Sequence, residues 1–383
     1  MRTLRPWFLL FLACGSLSPP MTASLPTGLV CDRVLIPPVS LSDTLATAAP
    51  GDCVILPSGT YSGTFVLPED VSLAASAGAT VNLADGDPVL TIRGGERSVV
   101  QGIRIIAGEG GGIAIEPGPA KLIGVGVTQS KKNALTATCT RPDCEQREVT
   151  LTDCEFTQNA VGVRAKGAKV KIEGGRIAEQ SGTSLSAGSG VVGSDGARIS
   201  MSGVTIDGNE NIGVLLDGPA TRANLDTCTV TNNRGRGVWA QGQTSDGGTT
   251  ISITGGEISG NRLVGIGARD MSGLSVRGVL VKDTAAVRVP IDISHFEDVG
   301  DGIGLFARTN AVLEDVTLQG NARAQLLADE PGADVQLRNP TLSGGKFRVV
   351  VQHANAPVQI ATSFIDDAGV ALLVQSTAIG LLP

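Results

Sequence analysis

Apolar residues alternate with polar ones in short runs of three to five positions, and the runs are separated by tight polar turns rather than by helical spacings. In the stretch 198–217, Ile199 and Met201 face one way, Ser202-Gly203 turns, Val204 and Ile206 follow in the same sense, Asp207-Gly208-Asn209 turns again, and Gly213-Val214-Leu215 forms a third run. Alternation of period two is the mark of a strand with one buried face. The same pattern recurs at Val149, Leu151, Cys154 and Phe156, at Ile251, Ile253, Gly256 and Ile258, and at Ala311, Leu313, Val316 and Leu318. An asparagine stands three positions after the apolar anchor in each of Phe156-to-Asn159, Ile206-to-Asn209, Val230-to-Asn233, Ile258-to-Asn261 and Leu318-to-Asn321. Self-similarity at a period of roughly 20–30 residues, with strands in every unit, predicts a solenoid whose coils bury their inner faces against one another. The five asparagines are expected to stack in a structural ladder along one turn, because Asn tolerates a left-handed backbone and bonds to the neighbouring coil.

The segment GDCVILPSGTYSGTFVLPEDVSL, Gly51 to Leu73, resembles the start of the pectate lyase-like superfamily of right-handed parallel β-helices, and the likeness continues to the C-terminus. It implies an all-β fold, a single-stranded right-handed parallel β-helix of about twelve coils, in keeping with the handedness of parallel crossovers. One elongated domain over 51–383 is expected, preceded by a cap over 24–50. Ser42-Asp43 is placed to start a short capping helix running to Ala49, with Leu45, Ala46 and Ala49 on its apolar side, closing the open end of the first coil. Two insertions break the period: 139–146 after a third strand and 283–302 in the asparagine-bearing turn.

Residues 1–15 have the form of an export signal, with Arg2 and Arg5 ahead of an apolar run from Trp7 to Ala13. Leu12-Ala13-Cys14-Gly15 resembles a bacterial lipobox that would lipidate Cys14; cleavage after Gly15 is the plain alternative. No later stretch is long and apolar enough to span a bilayer, so membrane attachment is expected only through lipid, on a protein that is extracellular or anchored in a bacterial outer membrane. Processing leaves six of the seven cysteines. Cys154 and Cys228 fall on inward positions three coils apart, roughly 14 Å, beyond the ~7 Å Cα limit for a bridge. They are expected to be buried thiols, leaving Cys31 with Cys53 and Cys139 with Cys144 as disulfides.

A net charge of −7 and the lack of a basic tail argue against nucleic acid as a partner. Aromatics are scarce: Trp239 is the one tryptophan beyond the leader and Tyr61 the one tyrosine, which argues against exposed stacking platforms for sugars. The superfamily resemblance implies a site over the first strand of the coil. Its outward residues on adjacent coils are Glu148, Thr150 and Thr152; Lys169, Lys171 and Glu173; Arg198, Ser200 and Ser202; and Arg222, Asn224 and Asp226. Lys169, Arg198 and Arg222 make a column suited to uronate or sulfate groups. Lys169, Arg222, Asn224, Glu173 and Asp226 are therefore candidate binding residues. In a lyase, Lys171 or Arg198 would remove a proton beside a carboxylate neutralised by neighbouring cations or by Ca²⁺ on Glu173 and Asp226. Mixed charges on a solvated sheet face also simply pair with one another.

The second insertion carries Asp292, His295, Glu297, Asp298 and Asp301, with the composition of an acidic solvated turn and no metal-ligand spacing. The polygalacturonase motifs and the Asp-Pro-His of alginate epimerases are missing; Asp366-Asp367 stands without partners, and His353 reads as a surface residue. A complete scaffold without a complete active site points to a surface β-helix acting as a non-catalytic binding or structural module, with acidic polysaccharide as the expected ligand of a binding role. A polysaccharide lyase acting on a uronate polymer is the alternative. The end of the chain, 370–383, shows no capping helix, so self-association through the last coil is a further expectation.

Overall fold

The structure, a computed structural model, describes residues 25–37, 40–141, 143–182, 186–242, 248–271, 273–290, 296–329, 334–352, 359–360 and 372–375. Cys14, His353 and the Asp366-Asp367 pair lie outside them, as does most of the last coil. Three sheets run the length of the solenoid, with 14, 12 and 14 strands in the order first, second and third. Each coil contributes one strand to each sheet, and its neighbours pair with it in parallel, as Lys169–Glu173, Arg198–Ser202 and Arg222–Asp226 do in the first sheet.

The alternation read from the sequence sets which side chains point inward. Ile199, Met201, Val204, Ile206, Val214 and Leu216 from one coil are all buried, whereas Ser200 and Ser202 between them are exposed. A single apolar core runs from Leu41 to Val351 through such sets. The turn from first to second strand holds left-handed residues, Asp153 at φ +49°, Gly203 at +62° and Thr227 at +51° among them. Asp, Asn and Gly suit this conformation, while Thr227 occupies it at some steric cost.

Helix α1 spans Leu41–Thr47 and is capped by Ser40, whose hydroxyl accepts from the N–H of Asp43 at 3.2 Å. The cap thus begins two residues earlier than the Ser42-Asp43 start read from the sequence. Its buried face is Leu41 and Leu45, four apart, and Ala46 and Ala49 are exposed. Both leucines join the solenoid core, closing its N-terminal end.

Cys31 and Cys53 form a disulfide with Cα atoms 5.4 Å apart, and Cys139 and Cys144 another at 5.8 Å. Cys154 and Cys228 are free and buried, and burial pushes the Cys154 thiol up to about 11. The Cys139–Cys144 loop, with a single 3-10 turn at Cys144–Gln146, joins a third-sheet strand to the first-sheet strand Glu148–Thr152. Disulfides persist in oxidising compartments, so these two mark an extracytoplasmic protein.

The second insertion differs from the solvated turn expected of its composition. Its described part is a hairpin: Val287–Pro290 pairs antiparallel with the start of an 11-residue strand, Phe296–Phe306. Asp292 and His295 fall outside the described residues. Asp298 is exposed opposite Arg288, but Asp301 is fully buried and ion-paired to Arg323. The cause is the hairpin itself, which continues the third strand and carries Asp301 inside the structure. Leu372–Gln375 pairs in parallel with Phe347–Gln352, extending the third sheet by one strand.

Candidate functional site

The outer face of the first sheet presents three columns of side chains in register. Lys169 stands opposite Arg198, and Arg198 opposite Arg222. Lys171, Ser200 and Asn224 form the next column, and Glu173, Ser202 and Asp226 the third. Adjacent members are about one strand spacing apart, ~4.8 Å.

The cations differ in how far they are committed. The ammonium of Lys169 lies 2.9 Å from the Glu148 carboxylate on the neighbouring strand. That of Lys171 lies 2.6 Å from Glu173 on its own strand, and this hydrogen bond holds its pKa above the ordinary lysine value. Lys171 is therefore held as a cation, the opposite of the depressed pKa that suits a proton-abstracting lysine. Arg222 is exposed, and its side chain has no hydrogen bond or ion pair among the described residues. Glu173 and Asp226 are separated by Ser202, which places their strands roughly 10 Å apart. Among the described residues no three His, Cys, Asp or Glu side chains cluster as a metal site.

Immediately beyond Arg222 the face sinks into a groove of 380 Å³. Its polar lining is Asn224, Thr250, Ser252, Ser275, Asn310 and Gln336, with the carboxylate of Asp334 at the far end. Asn224, Ser252 and Ser275 continue the Lys171 column, since Asn224 pairs with Ser252 and Ser252 with Ser275. The next coils place Val312 and then Gln336 in the same column. Gly273, opposite Thr250, adds no side chain to the floor. Of this set only Asn224 is among the candidate binding residues of the first-sheet face. The signal for the rest was present: the i, i+2 alternation that exposes Asn224 exposes Ser252 and Ser275 in the following coils, but uncharged hydroxyls on a sheet face draw no attention until the groove is seen.

The asparagines lie on the opposite turn. Asn159, Asn209, Asn233, Asn261 and Asn321 are fully buried and bonded from coil to coil. The row has members that the asparagine count passes over. Gln180 stands between Asn159 and Asn209, with its amide accepting from Asn159 N–H at 2.9 Å and its own N–H donating to Asn209 at 3.1 Å.

Three parallel sheets, one polar ladder and an N-terminal helical cap define a parallel β-helix. The family described as "Right handed beta helix region" matches residues 120–280, and the fold is a right-handed parallel β-helix. Among solved structures it is similar to the A-module of mannuronan C-5 epimerase AlgE4 from Azotobacter vinelandii, with 15% identity over 84% of this chain and 94% of that one and a TM-score of 0.60. It is also similar to the Dettilon tailspike protein, with 13% identity over 79% of this chain and 62% of that one and a TM-score of 0.50. The xylose complex of XylC aligns with 9% identity over 88% of this chain and 83% of that one, also with a TM-score of 0.50. At these identities the likeness is one of fold. No curated protein matches the sequence.

Proposed function

We propose that this protein is an extracytoplasmic surface β-helix, secreted or lipid-anchored through Cys14, that binds an acidic polysaccharide along the outer face of its first sheet without cleaving it. The observation that carries this reading is the junction of Arg198 and Arg222, in register, with the polar groove that starts at Asn224 and Thr250. Arginine recognises carboxylate or sulfate through paired N–H donors, and the hydroxyl and amide groups beyond it suit the hydroxyls of the following sugars. The epimerase module of similar fold is named for mannuronan, an acidic polymer. Non-catalytic binding is favoured by the state of Lys171, whose proton is held by Glu173.

Arg198→Glu with Arg222→Glu is expected to weaken binding of polyuronates by about tenfold or more at low salt, since charge-assisted contacts are each worth about 1.5–3 kcal/mol. Titration calorimetry against alginate, polygalacturonate and a neutral glucan checks this; equal affinity for the neutral glucan, or no loss in the double variant, refutes the site. The same mixtures followed by ultraviolet absorbance test for the unsaturated uronate ends that a lyase releases. Their appearance, abolished by Lys171→Ala, would replace the binding module with a lyase.

A further inference from the structure

Away from the first sheet, the outer face of the third sheet carries an aromatic strip. Leu215, Trp239 and Gly267 stand in one column, followed by Gly304. The two glycines make room for rings to lie flat: a Cβ on Gly267 would come within 2.2 Å of the Trp239 ring, and one on Gly304 within 2.9 Å of Phe306. Trp239 and Phe306 pack with ring centroids 5.6 Å apart, and Trp239 is only 5% exposed although it points outward. Its indole N–H is fixed by Gln241, whose amide is bonded in turn to Asp217.

Arg236 lies on this ring, its guanidinium carbon 4.2 Å from the centroid. No carboxylate pairs with it, and its Nε is buried without a hydrogen-bond partner among the described residues. Burial lowers its pKa, as expected of a cation that has lost water and gained no counter-ion. The residue is half-buried rather than sealed, so part of it remains accessible. Two further arginines flank it. Arg234 is exposed and has Glu210 at 3.5 Å. Arg262 is exposed on the next coil, where its N–H bonds to the carbonyl of Gly235, and its side chain has no partner among the described residues.

Of these three arginines on two adjacent coils only Arg234 has a carboxylate beside it, and the most buried of them, Arg236, has an unsatisfied donor. A buried side-chain N–H such as the Nε of Arg236 is ordinarily hydrogen-bonded. The geometry points to an oxyanion-binding site here, in which Arg236, oriented on the Trp239 face, takes a carboxylate or sulfate group of a ligand, with Arg262 and Arg234 at its rim. Stacking holds the guanidinium plane so that an incoming oxyanion meets preset donors rather than a mobile side chain. The site lies on the asparagine-bearing side of the solenoid, remote from Arg222, and does not depend on the binding proposed for the first sheet.

Trp239 supplies the test, because the chain has two tryptophans and the other is Trp7. In a Trp7→Phe background, emission comes from Trp239, and an anion drawing on Arg236 alters it. Sodium glucuronate and sodium sulfate, titrated separately, distinguish a carboxylate from a sulfate ligand, with sodium chloride at matched ionic strength as the reference. A saturable emission change with one of the oxyanions, a raised melting midpoint, and an apparent affinity weakened about tenfold or more in Arg236→Met are expected. Arg222→Glu should leave the response intact. Without ligand, Arg236→Met should melt no lower than the parent, since it removes an unpaired, partly desolvated charge and keeps an apolar stem on the ring. The proposal is overturned if neither oxyanion changes emission or melting beyond the chloride reference, or if Arg236→Met responds like the parent. A lower melting midpoint in Arg236→Met without any ligand response would instead make Arg236 a structural clamp on Trp239.

Discussion

Asn233→Ala is expected to destabilise the middle coils by about 2–6 kcal/mol, because it strands two buried donors at about 1–3 kcal/mol each. The Oδ1 of Asn233 accepts the backbone N–H of Asn209 at 3.1 Å and its side-chain Nδ2 at 2.8 Å, and all three asparagines of this stretch are fully buried. Its own Nδ2 donates to Asn261 at 2.8 Å, while Asn261 sends its Nδ2 to the carbonyl of Val230. Each amide thus closes one coil and bonds the next, so a single truncation opens the row on one side and weakens it on the other. Solenoid stability is carried by interfaces between neighbouring repeats, and the loss should be concentrated there. Amide hydrogen exchange checks it: protection should fall in the coils containing Asn209 and Asn233 while the N-terminal coils stay protected. Asn224→Ala, on the exposed outer face, should stay within about 0.5 kcal/mol of the parent in urea titration. Equal exchange in Asn233→Ala and the parent would remove the ladder's energetic role.

The sequence made this row legible because its chemistry repeats with the coil: an apolar anchor, two turn residues, then an amide that has nowhere else to bond. The inward alternation was legible for the same reason, since Ile199, Met201, Val204 and Ile206 obey one period that burial enforces in every coil. Cys154 and Cys228 could be separated from the disulfide cysteines because they occupy positions of that period. Features made once were harder to read. Ser40 rather than Ser42 caps the helix because Leu41 and Leu45, not the alanines, reach the core, and a helix of 7 residues offers too few positions to settle its phase. The pairings that commit Lys169 to Glu148 and Lys171 to Glu173 depend on rotamers that alternation does not determine. Arg236 was hidden for another reason: its column neighbours differ in kind from coil to coil, and only the ring of Trp239 lying over Gly267 explains where the guanidinium rests.

Asp301 is the feature that composition read in the wrong sense, and it carries the second large effect. Arg323→Met is expected to cost about 3–5 kcal/mol at neutral pH, the range for breaking a buried ion pair by removing one partner. Asp301 is fully buried and takes Arg323 Nε at 2.8 Å, while the N–H of Ala324 donates to the same oxygen at 3.2 Å. Burial pushes its carboxyl above the ordinary aspartate range, Arg323 opposes this, and the nearby Asp329 adds to the rise. Without Arg323 the folded-state pKa of Asp301 moves further above its unfolded value of about 3.9. A group with a raised folded pKa contributes its stability in full below the unfolded pKa and loses it as pH rises through the folded one. The variant should therefore lie closest to the parent near pH ~4 and fall progressively behind it toward neutrality. Urea titrations across that window check the sign; a deficit that grows on acidification would show that Asp301 is not the stranded charge. The paired change Asp301→Val with Arg323→Met should recover most of the loss, because Val264 already fills the matching position one coil earlier and replacing a buried pair by apolar groups is often neutral or stabilising. Recovery in the double variant, against a large loss in Arg323→Met alone, would show that the pair specifies how the hairpin strand seats on the next coil more than it stabilises the fold.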